Sequence, residues 1–193
     1  MYWYRLRAAL TLIGAIMLAV FFSACKPDAR DNGHPKYFDL KDYFIKDSAR
    51  LTKENKIVFK TVTHNGVSES KKVHIANWGG ELNLFKDADI NKPAWKDSYK
   101  IIDEDSILVY RAKKPNSMKV REILINKTKE KIKWILIYNK TPENTWLGLK
   151  IPSLYQTTER LIYFPDSLYI IERVQRVKLI GTNVYKIRGE IIK

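Results

Sequence analysis

The spacing of apolar residues changes character three times along the chain. Residues 8–22 form an almost unbroken apolar run. Residues 26–36 have no apolar period at all and carry two Pro and one Gly, the composition of a tether. From Asp39 onward Leu40, Tyr43, Phe44 and Leu51 recur on one helical face, with Asp39 placed as N-cap and Asn55 as stop. From Lys56 the period falls to two. Two β-rich runs flank Asn65-Gly66, the pair that tolerates the positive φ angles of a tight hairpin turn. Helical spacing returns briefly over Trp78–Ala88 through Leu82 and Phe85. It ends before Asp89 and Pro93, which leave Pro93-Ala94-Trp95 in a turn.

The remainder predicts strand after strand: 107–113, 118–126, 132–139, 146–151, 157–164, 168–179 and 184–192, separated by turn pieces such as Lys114-Pro115-Asn116-Ser117 and Pro165-Asp166. The linkers are too short for crossover helices, which excludes parallel βαβ units. Within residues 132–138 the alternation predicts that Ile132, Trp134, Leu136 and Tyr138 face the core. The acidic run Asp103-Glu104-Asp105 is expected to be a solvated loop leading into a strand. The order of elements gives an α+β fold: one or two N-terminal helices packed on a curled, mostly antiparallel β-meander, half-barrel-like. A curled sheet has a concave face that either the helices or a ligand must fill.

The first segment changes the picture of where this body resides. Arg5 and Arg7, the apolar run and the small pair Ser23-Ala24 form an export leader whose run is shorter than the roughly 20 residues of a membrane span. Phe22-Ser23-Ala24-Cys25 resembles the lipobox of bacterial lipoproteins, in which the Cys thiol receives diacylglycerol before cleavage and the new amino terminus is then acylated. Cys25 is the sole cysteine, so a lipidated chain has no thiol left for a disulfide. The expected organisation is a lipoprotein signal peptide at 1–24, a lipidated tether at 25–36 and a single α+β domain at 37–193. Lys26 after the lipidated Cys fits sorting to the outer membrane, facing the periplasm.

The net charge is +14, with 25 Lys and 10 Arg. For an exported, lipid-anchored protein that basicity points away from nucleic acid and toward phospholipid heads or anionic glycans. Most of it is dispersed and serves solubility. The densest cluster, around Lys127, Lys129 and Lys131, falls at an expected hairpin tip.

The segments YFDLKDYF, RLTKENK, FKTVTHNG, DADINKPAWKDSYK, LYQTTERLIYFPD and VYKIRGEI together resemble an uncharacterised lipoprotein family of the Bacteroidota. The resemblance implies location and lipidation, and no activity. It also gives meaning to a recurrence, since four of the nine Ser follow Asp. Asp105-Ser106-Ile107 and Asp166-Ser167-Leu168 resemble the O-glycosylation acceptor motif of that phylum's periplasm, which makes Ser106 and Ser167 candidate acceptors. Ser48 shares the motif but lies within the first helix.

No two of His34, His64 and His74 share metal-ligand spacing on one element, and there is no nucleophile elbow, phosphate loop or dinucleotide fingerprint. No catalytic residue, metal or cofactor is therefore expected. Trp146, beside Gly148 after a Pro-Asn loop, is the aromatic placed best for contact with a ligand, and Lys127, Lys129 and Lys131 for an anionic surface. The expected function is a non-enzymatic binding or scaffolding module, held to the membrane through Cys25 and meeting envelope proteins, lipid or anionic glycan. The alternatives are a carrier holding a lipid in the concave face and an enzyme acting on envelope glycans.

Overall fold

The structure, a computed structural model, describes residues 34–129, 131–146, 149–151 and 154–192, with only the backbone described for residues 144–151. The leader and Cys25 lie outside the described residues.

Helix α1, Leu40–Glu54, begins where the Asp39 side chain accepts from Asp42 N at 2.8 Å. It ends where Asn55 turns left-handed at φ 45°. Leu40, Phe44 and Leu51 are buried along one face. The helical stretch expected over 78–88 is instead two single turns, α2 (Trp78–Glu81) and α3 (Asn83–Lys86), meeting at Leu82. Gly79 and Gly80 stand in the first turn, where they remove helix propensity.

The strands are β1 (Ile57–His64), β2 (Val67–His74), β3 (Tyr99–Glu104), β4 (Ile107–Ala112), β5 (Val120–Lys127), β6 (Ile132–Lys140), β7 (Asn144–Trp146), β8 (Leu149–Ile151), β9 (Tyr155–Phe164), β10 (Leu168–Val177) and β11 (Gly181–Ile191). Nine of them form one antiparallel sheet in the order β2-β1-β11-β10-β9-β6-β5-β4-β3, which leaves β2 and β3 as free edges, so the sheet is not closed. Strands β7 and β8 pair separately, where a single strand over 146–151 was expected. The β1–β2 turn has φ 48° at Asn65 and 89° at Gly66, the two positive angles of a type I′ hairpin. Strand β3 is absent from the sequence expectation because its acidic end, Asp103-Glu104, has the composition of a loop. As an exposed edge it needs no dry face.

The helices cover one face of the sheet, here called the inner face. Registers place its side chains in rows running across the strands. One row is Ile125, Ile135, Tyr163 and Tyr169, ending at Gly189. The next is Ile123, Ile137, Leu161, Ile171 and Ile187. Phe44 and Phe85 meet Tyr163 at ring distances of 5.2 and 5.8 Å, and Trp78 meets Tyr169 at 6.0 Å. Burial of each such side chain contributes about 1.5–3 kcal/mol. The ring of Tyr169 lies where a Cβ at Gly189 would be, 2.2 Å away, so only glycine fits there.

Ile132 packs against the core as expected, but from Trp134 onward the face assignment on β6 is reversed. Ile135 and Ile137 are fully buried beneath the helices, whereas Trp134, Leu136 and Tyr138 are half-buried on the opposite face. Both faces of that strand are apolar, so alternation alone does not choose between them.

Candidate functional site

One row further along the inner face, the apolar side chains stop. Asn139 on β6 is opposite Glu159 on β9, Glu159 opposite Arg173 on β10, Arg173 opposite Tyr185 on β11, and Tyr185 opposite His64 on β1. Val120 faces Asn139 from β5, where a bulge between Val120 and Glu122 inserts Arg121. Over this row no helical aromatic packs, and a cleft of about 290 Å³ opens. Lys119, Asn139, Lys140, Thr157, Glu159 and Arg173 are among its lining residues.

Glu159 is only 5% exposed and its carboxylate is fully engaged. One oxygen accepts from Arg173 Nε at 2.9 Å and Nη2 at 2.7 Å, and the other from Asn139 Nδ2 at 3.2 Å. That leaves Asn139 Oδ1 buried without a hydrogen-bond partner. Arg121, in the β5 bulge next to this row, is 7% exposed. Its Nη2 donates to Thr141 O at 3.2 Å, while Nε and Nη1 have no partner. Burial holds its guanidinium below the usual arginine range. Three of the five unpartnered buried side-chain atoms among the described residues thus belong to Arg121 and Asn139. A fold leaves few such groups without cause, because each costs about 1–3 kcal/mol. With Glu159 neutralised by Arg173, Lys119 and Lys140 make the surroundings cationic. Asn139 Oδ1 asks for a hydroxyl or amine donor. Among the described residues that line it, Glu159 is the one carboxylate.

Beneath the helices the polar groups are instead joined to one another. Asp47 of α1 accepts from the Tyr163 hydroxyl and from Arg50 Nε at 3.0 Å, and Arg50 Nη1 reaches Asp166 at 2.6 Å. Burial, then Asp47, drives the Tyr163 phenol well above the ordinary tyrosine range. Glu81 accepts from Tyr169 at 2.6 Å and pairs with Lys60 at 2.7 Å. These pairs fix the helices to the sheet and occupy both carboxylates.

The residues singled out from sequence fall elsewhere. Lys127, Lys129 and Lys131 flank the β5–β6 turn at the opposite strand ends, remote from the cleft. Ser106 lies half-buried in the β3–β4 turn at those same ends, its carbonyl accepting from Lys127 N at 2.8 Å. Ser167 is exposed in the β9–β10 turn, and Ser48 is buried. Trp146 is the last residue of β7, and its side chain lies outside the described part; Cys25 does too. Sequence reasoning missed Asn139, Glu159, Arg173 and Arg121. A signal existed: Glu159 and Arg173 continue the same two-residue period as Leu161 and Tyr163, and as Ile171 and Tyr169, into polar territory.

No group of three or more His, Cys, Asp or Glu suited to a metal occurs among the described residues, and no described helix is long and apolar enough to cross a membrane. No family model, curated protein or solved structure matches the chain.

Proposed function

We propose that this protein is a lipid-anchored envelope lipoprotein, held through acylated Cys25 to the outer membrane and facing the periplasm. In this reading it is a non-enzymatic binding module of the Bacteroidota type, and its sheet curls over the helices as a half-barrel. Its ligand is a small anionic molecule bearing hydroxyl or amine donors, of the kind found in acidic glycans. The observation that carries the reading is Asn139 Oδ1, 98% buried with its residue and unpartnered, in a cleft rimmed by Lys119, Lys140 and Arg173. The lipobox-like Phe22–Cys25 supports the anchor. The aromatic packing of α1 and α3 on Tyr163 argues against an apolar ligand in the same rows.

Native mass spectrometry of the protein extracted from membranes tests both parts. The expected spectrum shows a chain starting at acylated Cys25 and a co-purifying ligand that Asn139→Leu releases. An intact leader with a free thiol would overturn the anchor. A ligand-free mass, with no stabilisation by acidic sugars, would overturn the binding role.

A further inference from the structure

The end of the sheet where the cleft opens carries a second unusual feature. The β10–β11 turn is Lys178-Leu179-Ile180, with Leu179 wholly exposed and Ile180 at 78%. Leu179 has φ 74°, a left-handed conformation that favours glycine or asparagine. Turn chemistry therefore does not explain a leucine there. Beside it, Lys178 N donates to Leu154 O at 2.9 Å, which sets a third aliphatic side chain, 72% exposed, against the same tip.

The charge at these strand ends is mostly positive, with Asp97 and Glu143 the acids among them. Lys113 and Lys114 follow β4, Lys119 precedes β5, and Arg176 and Lys178 flank the tip, all exposed. The opposite ends mix Asp103, Glu104, Asp105 and Asp166 with their lysines. The described chain also enters at the basic end: Lys36 pairs at 2.5 Å with Asp97, just before β3 starts.

We propose that the β10–β11 tip is a bilayer-contact element that seats Leu179 and Ile180 among the headgroups of an anionic phospholipid leaflet. Arg176 and Lys178 lie on the phosphates beside it, and Lys113 and Lys114 meet the same leaflet four strands away. Separate protruding aliphatics within a basic surround suit a fluid interface, which needs no shaped counter-surface. The contact orients the body so that the cleft opens close to the membrane plane. It builds on the lipid-anchor reading, and intact mass reports that reading independently.

The test places an environment-sensitive dye on Thr182→Cys, beside the tip, or on Ser167→Cys at the far end. The acylated protein is then reconstituted into phosphatidylcholine vesicles with or without phosphatidylglycerol. Quenching by lipid-borne quenchers is expected to be several-fold stronger at 182 than at 167. It should fall on omission of phosphatidylglycerol and disappear in a Leu179→Ser, Ile180→Ser background. Equal quenching at the two sites, or quenching at 182 that survives the double serine change, would overturn the proposal. In a chain found unacylated, the same comparison run with Cys25→Ser keeps the two readings separable.

Discussion

The rows through Tyr163 and through Glu159 lie four residues apart on the same strands, yet they are built on opposite terms. Under the helices, Asp47 and Glu81 each have a tyrosine and a cation, and the unpartnered Trp78 Nε1 is the exception. In the open row Glu159 is satisfied, but Asn139 and Arg121 are left with unmet hydrogen-bonding groups. On the proposed reading, the difference separates structure from binding within one face. Where helices dock, the sheet spends its polar groups on holding them; where no helix docks, it keeps a desolvated polar surface that folding alone does not need.

Substitutions can break or sharpen that contrast. Phe44→Ala removes a ring packed on Tyr163 and Phe85, and should cost about 3–5 kcal/mol in urea unfolding. Tyr185→Ala in the open row, where the ring is 40% exposed, should cost about 1 kcal/mol or less. Equal losses would erase the distinction. Asp47→Ala, which strands the buried Tyr163 hydroxyl, should cost about 1–3 kcal/mol by the same measurement. Arg121→Met should go the other way, leaving stability unchanged or raising it by about 1 kcal/mol, because a buried guanidinium with two unpartnered N–H groups is replaced by an apolar chain of similar volume. A clear loss would show the guanidinium to be structural.

The smallest effect at neutral pH comes from the phenols. Burial first, with a neighbouring carboxylate in each case, raises Tyr43, Tyr163 and Tyr169 well above their unfolded value of about 10. Groups raised on folding contribute stability that is whole below the unfolded value and is lost as pH rises past it. Absorbance at alkaline pH should therefore show these three tyrosines ionising only with unfolding. Denaturation midpoints should be flat from neutrality to about pH 10 and fall beyond it.

Much of the framework was legible because local chemistry dictates it: Asp39 and Asn55 end their helix, and Asn65-Gly66 turns its hairpin, without help from distant residues. The inner face of β6 was not, since Trp134 and Ile135 are equally apolar and only the docking of α1 and α3 decides between them. The cleft was illegible for a further reason. Arg121, Asn139, Glu159 and Arg173 belong to four strands, and their meeting depends on a bulge and three registers that no single segment encodes.

The place of β11 has a consequence for assembly. The hairpin formed by β1 and β2 joins the rest of the sheet only through Gly181–Ile191, so the first strands made must wait for the last before they find a partner. Closing so long a loop is slow. Docking of the first hairpin is thereby deferred until β11 has been made.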